Sequence, residues 1–242
     1  MMTTLVVGAS GATGKQLVEQ LLNRGQNVRV IVRSTSNIPD TWKNNGKISI
    51  IEASISDIRL EEMTDYVKDC QGVASCLGHN LTLKGIFGKP RRLVTNAVEV
   101  LCTAIQKNSP NQPVRFVLMN TVGNMNRDLK EHVPPGQKIL MLLIRLLLPP
   151  QPDNEKAADF LRLRIGQNNT LIEWVAVRPD SLIEQDKVTE YDLYGSPIRS
   201  ALFNPGKTSR INVGNFMARL ILEDELWNQW KGQMPVIYNQ TD

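Results

Sequence analysis

The sequence predicts an α/β fold in which a mostly parallel, doubly wound sheet carries helices on both faces. Short apolar runs rich in β-branched residues alternate, as far as Val177, with stretches whose apolar residues recur at helical spacing. A glycine-rich turn, residues 8–14, joins the first such run to the first helical stretch. The 242 residues are predicted to form one domain, 1–242, with a small substrate-side annex at 181–212.

The composition is typical of a soluble globular protein, with 41% hydrophobic and 21% charged residues. The net charge of +4 is spread along the chain, without the basic stripe that a nucleic-acid partner requires. The three cysteines, Cys70, Cys76 and Cys102, do not form a C-x-x-C pattern and are expected to be reduced core residues. With no signal peptide before the first strand, we expect a cytoplasmic protein. His79 and His132 lie far apart in sequence, so no metal site is predicted.

The glycine turn has the spacing G-x-x-G-x-x-G, after the strand Thr4–Val7 and before the helical stretch Lys15–Leu22. Gly8 allows a tight turn, Gly11 lets a pyrophosphate approach the backbone, and Gly14 lets the helix pack closely on the strand. The free N–H groups of the helix N-terminus favour a phosphate. The alternative is a glycine-rich turn without a ligand. The predicted cofactor contacts in this turn are Gly8, Ser10, Gly11, Ala12, Thr13 and Gly14.

The sequence GASGATG, so close to the N-terminus, resembles the short-chain dehydrogenase/reductase superfamily. It is most similar to the atypical branch that includes the NADP-binding nitrogen-metabolite-repression regulators and the small flavin (biliverdin-IXβ) reductases. The resemblance extends from the glycine turn to the final strand. It implies a Rossmann fold that binds NADP(H).

The second strand, Val28–Val32, ends at Arg33 and Ser34. An acidic residue at this position selects NAD through the ribose 2′-hydroxyl, whereas a basic residue pairs with the 2′-phosphate of NADP. No acid follows in sequence until Asp40, so Arg33 predicts NADP. The alternative is a solvated surface arginine.

The third strand, Ile48–Ile51, leads to Ser54 and Ile55, where the resemblance implies contact with the adenine. Family members usually have G-D-x-x-D here, and Ser54 stands in place of the first aspartate. The adenine contact is therefore expected to be weakened or to use the backbone. The second aspartate, Asp57, remains, with a cap of the helix near Leu60 as its alternative role.

The fourth strand, Gly72–Gly78, ends in Cys76, Leu77 and Gly78, which the resemblance places under the cofactor ribose. Cys76 is interpreted as a packing residue because it lies in an apolar strand. A long amphipathic helix, Arg91–Lys107, follows. Its family counterpart packs on the sheet and often lies in a dimer interface, so the resemblance allows a homodimer.

The fifth strand, Val114–Thr121, ends in Asn120-Thr121, where family members have Ser-Ser. The Thr121 hydroxyl is expected to hold the acceptor, and bonding to the backbone is its alternative role. The superfamily's catalytic Tyr-x-x-x-Lys is represented by Pro152 and Lys156, so the tyrosine is absent. Lys156 is expected to bind the ribose, or otherwise to be a surface lysine of the first helical turn.

The sixth strand, Glu173–Asp180, resembles the family segment D-W-T-I-V-R-P-G. The resemblance places Pro179 near the nicotinamide amide, and Arg178 is interpreted as structural. Asn212 is predicted to cap a helix over Val213–Leu222.

An apolar run, Ile139–Leu148, has nine apolar residues in ten and ends at Pro149-Pro150. It is too short to span a bilayer. We expect it to wall an apolar acceptor pocket on one side and to pack on the annex or a second subunit on the other. A plain core helix is the alternative. Docking on a membrane surface is a poorer interpretation, because the run has one positive charge and no polar stripe.

Together, these features predict an NADPH-dependent reductase that passes hydride to a small-molecule acceptor: a flavin, a quinone or another conjugated compound. Such acceptors need little acid catalysis, unlike a simple ketone, so the missing tyrosine does not exclude hydride transfer. The alternative is a non-catalytic NADP-binding redox sensor or regulatory protein. An isomerase or epimerase is a weaker third hypothesis, since it usually needs the tyrosine.

Overall fold

The computed structural model describes residues 1–79, 82, 86–131 and 133–240. It confirms the doubly wound α/β fold. Within the described residues, the central sheet has eight strands in the order β3-β2-β1-β4-β5-β6-β10-β8. All neighbours pair in parallel except β8, which is antiparallel to β10, and β7 and β9 form a separate parallel pair. The strands are β1 Thr3–Val7, β2 Asn27–Val32, β3 Ile48–Glu52, β4 Gly72–Ser75, β5 Val114–Met119, β6 Ile172–Pro179, β7 Ser181–Ile183, β8 Tyr191–Tyr194, β9 Lys207–Ser209 and β10 Val236–Asn239.

Helices cover both faces of this sheet. Strand β1 shows why, because Leu5 and Val7 point into one buried cluster and Val6 into the other. The first cluster lies under α3, α4 and α6, and the second under α1, α7 and α8. The α-helices are α1 Ala12–Asn23, α2 Asp40–Lys43, α3 Leu60–Val67, α4 Leu93–Asn108, α5 Pro135–Leu147, α6 Pro150–Phe160, α7 Arg210–Leu222 and α8 Asp224–Trp230.

Two helix caps differ from the sequence prediction. Helix α7 begins at Arg210, and its cap is Ser209, whose hydroxyl accepts from the Asn212 N–H at 3.3 Å. The Asn212 amide lies inside the helix and instead binds Thr189 and Asn239. The residue before α3 is Arg59, so the alternative role of Asp57 as a cap of this helix is also wrong. The Arg59 N–H there donates to Glu62 inside the helix at 3.0 Å.

The annex contributes to the central sheet as well as standing beside it. Its strand β8 is the edge strand next to β10, whereas β7 and β9 pair with each other. Asp180, just after β6, accepts hydrogen bonds from the N–H groups of Ser181 and Gly206, both at 2.8 Å. Burial raises the pKa of Asp180, and these two donors oppose the shift.

Helix α5 contains most of the apolar run and is not a core helix, so that alternative was wrong. Its buried residues are Gln137 and Met141, whereas Leu146 is 73% exposed. The annex contacts its inner side, where the Ser200 hydroxyl donates to Gln137 Oε1 at 2.6 Å. None of the described helices is both long and apolar enough to cross a membrane.

Candidate functional site

The three glycines of the turn after β1 have different surroundings. Gly8 has φ +73°, a left-handed conformation that favours glycine. A Cβ on Gly8 would lie 2.7 Å from the Leu77 nitrogen at the exit of β4, and one on Gly14 would lie 2.9 Å from the Ala9 Cα. Gly11 is exposed, and a Cβ there would meet only the Gly8 carbonyl, at 3.2 Å. Gly8 and Gly14 therefore serve close packing, while the space outside Gly11 is open.

The N-terminus of α1 begins at this open side of the turn. Gly11 precedes the helix and supplies no side-chain cap, and the first turn carries no acidic residue. The Lys15 N–H makes the first helical bond, to the Gly11 carbonyl at 2.9 Å. The N–H groups of Ala12, Thr13 and Gly14 lie at the positive end of the helix dipole, with Ser10 beside them. This arrangement fits a dinucleotide pyrophosphate.

The exit of β2 holds an acid that the sequence analysis missed. Arg33 is exposed directly after β2, and the Ser34 hydroxyl accepts from the Ser36 N–H at 3.3 Å. The Thr35 hydroxyl donates to Glu52 at 2.9 Å. Glu52 ends β3 in register with Val32, so the neighbouring strand brings a carboxylate to this corner. A search along the chain from Arg33 could not find it, because it lies about 20 residues further on in sequence.

The exits of β3 and β4 hold the other predicted adenosine contacts. The Ser54 hydroxyl pairs with that of Ser56 at 2.9 Å, and Ile55 packs against a buried cluster. Cys76 is buried, and burial raises the pKa of its thiol to about 12, in agreement with a packing role. Gly78 is exposed, and a Cβ there would meet no atom of the described residues within 4 Å. None of the described residues therefore blocks a ligand over Gly78.

Thr121 lies beside a cavity wall at the exit of β5. Its hydroxyl accepts from the Gly123 N–H at 3.3 Å, which is the backbone bond of the alternative interpretation, but it keeps its own proton to donate. A Cβ on Gly123 would lie 3.6 Å from Met141 Cε and 3.7 Å from Thr121 Oγ1. The Val122 N–H donates to the Pro179 carbonyl at 3.1 Å, so the β5 and β6 exits adjoin.

Lys156 is exposed in the second turn of α6, not in the first turn as the surface-lysine alternative had it, and Pro152 stands in the first turn. The helix directs Gln151 at the loop after β5, where its amide donates to the Gly123 carbonyl at 3.3 Å. Lys156 lies about 140° around the helix from Gln151, given about 100° per residue.

A buried aspartate on α6, absent from the sequence prediction, ties this helix to the neighbouring elements. Asp153 accepts from the N–H groups of Val94 and Thr95, at 2.8 and 3.0 Å, and so caps α4 from outside. Its carboxylate also lies 2.8 Å from His79 Nε2, next to Gly78 at the β4 exit. The sequence contained one signal for this burial: Asp153 lies four residues before Ala157 and therefore on the same, apolar side of the helix.

This His79–Asp153 pair is not part of a metal site. Among the described residues, no group of His, Cys, Asp or Glu could hold a metal ion. The other histidine considered, His132, lies outside the described residues.

A cavity of about 670 Å³ opens beside Thr121, between the loop after β5, helix α5 and the annex. Most of its lining is apolar, and the cations Lys138, Arg145 and Arg199 reach it. Its acid Glu131 is neutralised by Arg178 at 2.7 Å, and Arg145 is paired with Glu155 at 2.7 Å. The apolar lining residues are Val122, Gly123, Met125, Val133, Pro134, Met141, Leu142, Pro197 and Ile198.

Arg178 holds Glu131, a lining residue of this cavity, in place, and its structural role is confirmed. Its guanidinium is fully buried and donates to the carbonyls of Met234 and Asn124, at 2.7 and 2.9 Å, as well as to Glu131. A buried arginine needs such complete pairing. It joins the end of β6 to the loops on both sides.

Tyr191 and Tyr194 of the annex do not line this cavity and cannot stand in there for the missing tyrosine. The Tyr191 hydroxyl donates to Asn215 at 2.9 Å and accepts from Arg219 at 3.2 Å, beside α7. Burial raises the pKa of Tyr191. Tyr194 packs on Tyr238 and lines a second, smaller cavity of about 440 Å³.

Comparison with known proteins agrees with this geometry. Residues 8–224 match a family described as NAD(P)H-binding. Over 52 residues the chain is 38% identical to an uncharacterised chloroplastic protein of Arabidopsis thaliana, a match that covers 22% of this chain and 19% of that relative.

Three solved structures share the fold over nearly the whole chain. The oxidoreductase ylbE of Lactococcus lactis has a TM-score of 0.69 at 16% identity, over 99% of this chain and 92% of its own. A candidate NADH-flavin reductase of Streptococcus pneumoniae has a TM-score of 0.65 at 18% identity, over 99% and 100%. A short-chain dehydrogenase/reductase of Veillonella parvula in complex with NADP has a TM-score of 0.69 at 14% identity, over 98% and 94%.

Proposed function

Because the chain belongs to the NAD(P)H-binding family, we propose that it is an NADPH-dependent reductase acting on a flavin, a quinone or another conjugated acceptor. The observation that carries the proposal is the position of the large apolar cavity. It opens at the carboxyl end of β5, on the same edge of the sheet as the glycine turn. In doubly wound sheets, ligands bind outside the carboxyl ends of the strands.

The chain's own residues would bind and orient the two reactants. The glycine turn and the α1 N-terminus hold the pyrophosphate, and Arg33 holds the 2′-phosphate. Thr121 donates a hydrogen bond to an acceptor oxygen in the cavity. The apolar wall formed by Met141 and Leu142 excludes water from one side of the acceptor. Lys156 remains a proposed ribose ligand, exposed on α6.

Bound NADPH would supply the hydride, and the acceptor would take it together with one proton from water. The anion formed on a quinone or flavin is delocalised, so it needs no positioned acid. This matches a cavity in which Glu131, the only carboxylate among the described lining residues, is held in an ion pair.

A redox sensor remains the second candidate, favoured by one observation. The Thr121 hydroxyl already accepts a hydrogen bond from the Gly123 N–H. A protein of this kind would bind NADP tightly without turnover.

Oxidation of NADPH, followed at 340 nm with flavins, quinones and small carbonyls, separates the candidates. Gly11→Asp should abolish oxidation, because it puts a carboxylate where the phosphates bind. Gly46→Asp is the matched control, since a Cβ at Gly46 meets no neighbour within 4 Å. Tight NADPH binding without turnover on any acceptor would instead support the sensor.

A further inference from the structure

Helix α5 has its apolar side turned outward. At about 100° per residue, its leucines and Ile139 cover an arc of about 160°. Leu143 is 47% exposed and Leu146 73% exposed, whereas the polar Gln137 is buried on the opposite side. We call this the outward face of α5, formed by Ile139, Leu140, Leu142, Leu143, Leu146 and Leu147.

The outward face continues beyond the helix and is too large to be incidental. Phe203 of the annex is also exposed and lies 3.7 Å from the position of a Cβ on Gly136. Isolated exposed leucines are normal, but a contiguous patch of this kind marks an interaction surface.

The charges around the outward face are positive. Helix α5 carries Lys138 and Arg145 and no acidic residue. Lys138, Lys130 and Arg199 are exposed, and in the described part of the chain none of them forms an ion pair. The nearby acids, Glu131 and Glu155, are buried in ion pairs and offer no negative surface.

We propose that α5 lies on an anionic lipid surface, and that the cavity behind it takes its acceptor from the lipid phase. The second half rests on the proposed function. From the sequence alone, docking on a membrane surface was the poorer interpretation, because the run Ile139–Leu148 contains one cation. The structure places Lys138 and Arg199 at the cavity beside that run and turns its leucines outward. An apolar face bordered by cations is the pattern of a helix that lies in the membrane interface.

The cavity opens onto the outward face. Leu142 is exposed on that face and also lines the cavity, and Met141 lines it from the inner side. An apolar compound could therefore pass from a lipid surface into the cavity along Leu142 without crossing water. The acceptor class that fits is a lipid-dissolved quinone, whose ring would reach Thr121 while its tail remains near α5.

The test is sedimentation of the protein with vesicles of phosphatidylcholine, alone or mixed with phosphatidylglycerol. We expect binding to the mixed vesicles, weakened by salt and by omission of the anionic lipid. The double variant Leu143→Ser, Leu146→Ser should bind more than tenfold more weakly, because it removes two leucine side chains that the lipid would bury. Leu163→Ser is the matched control, being an equally exposed leucine outside α5.

Two quinones then separate this inference from the proposed function. The double variant should still reduce a water-soluble quinone with NADPH and should lose reduction of a quinone held in vesicles. If the wild-type protein reduces the soluble quinone but does not bind vesicles, the inference is overturned and the proposed function still stands. Vesicle binding with no quinone reduced supports the docking surface and overturns the acceptor role. A lipid-free dimer that the double variant dissociates would overturn the docking surface.

Discussion

Gly14 and Gly11 lie in the same turn but have different roles. Gly14 is needed for close packing of the fold, and Gly11 is expected to face the phosphates of the cofactor. A Cβ on Gly14 would clash with the backbone of Gly8 and Ala9, whereas one on Gly11 would make a single close contact, 3.2 Å from the Gly8 carbonyl oxygen. We expect Gly14→Ala to lower the free energy of unfolding by about 1–3 kcal/mol, as overpacking does. Gly11→Ala should lower it by less than Gly14→Ala does and should weaken NADPH binding. Urea denaturation and fluorescence titration measure the two effects.

Equal losses of stability in both variants would contradict this division of roles. The interpretation of Gly11 as the phosphate-facing residue would fail if its alanine variant bound NADPH as tightly as the wild type.

Arg33 is predicted to set the preference for NADPH over NADH. Its guanidinium is exposed at the end of β2, where it could form charge-assisted bonds to a 2′-phosphate. We expect Arg33→Ala to weaken NADPH binding by about 1–3 kcal/mol and to leave NADH binding nearly unchanged. Calorimetric titration with both dinucleotides measures the difference.

Glu52 supplies the control for Arg33, because its carboxylate lies at the same corner. Glu52→Gln should favour NADPH slightly by removing a negative charge. If Arg33→Ala weakens both dinucleotides to the same extent, the arginine is not the specificity residue.

Tyr191 and Tyr194 are not expected to replace the missing catalytic tyrosine. Tyr191 is bound to Asn215 and Arg219 beside α7, and Tyr194 faces the smaller cavity. Tyr191→Phe and Tyr194→Phe should therefore keep kcat within about twofold, since neither hydroxyl reaches the acceptor cavity. Tyr191→Phe should lower stability by about 1 kcal/mol through its lost hydrogen bond. A large fall in kcat with NADPH binding intact would identify an annex tyrosine as the proton donor.

Among the helices, Asp153 gives the sharpest stability test. Its carboxylate satisfies two buried N–H groups of α4 and the Thr95 hydroxyl. Each buried donor left without a partner lowers stability by about 1–3 kcal/mol, so Asp153→Ala should strongly destabilise the fold. Asp159→Ala on the same helix is the control, because its ion pairs with Arg127 and Arg162 are partly exposed and contribute little. Thermal unfolding of the two variants should differ clearly; similar midpoints would contradict the capping role.

The order of strands and helices could be predicted from the sequence because the spacing of apolar residues within each segment indicates a strand or a helix. The run Val28–Val32 and the actual strand β2, Asn27–Val32, differ by one residue. Features that depend on a distant neighbour could not be predicted this way. Asp153 caps a helix about 60 residues earlier in the chain, and Glu52 reaches the β2 corner through strand register.

The apolar run was only half predictable for the same reason. Its composition predicts a helix covered on all sides, whereas the structure leaves its leucines exposed. The expected cavity wall is present, since Met141 and Leu142 line the cavity. Which side turns inward depends on the position of Gln137 opposite Ser200 of the annex, and a single sequence does not place those two residues together. The annex therefore covers the polar side of the helix and leaves the leucines outside.

At the scale of the whole molecule, the annex and the sheet are expected to unfold together. Strand β8 pairs with β10 from Tyr191 to Tyr194, and β10 in turn pairs with β6. The Thr208 hydroxyl also donates to the Ile237 carbonyl at 2.6 Å, which ties β9 to the same strand. Loss of the annex would therefore expose one edge of the central sheet.

A fluorinated tryptophan in the annex tests this cooperativity. The four native tryptophans, Trp42, Trp174, Trp227 and Trp230, all lie outside the annex and report on the main domain. Phe203→Trp adds a fifth at an exposed annex position. With 5-fluorotryptophan labelling, ¹⁹F NMR should show all five native signals lost at the same urea concentration, as in a two-state transition. If the Trp signal at position 203 disappears at lower urea while the other four persist, the annex is a separate folding unit and the single-domain prediction is wrong.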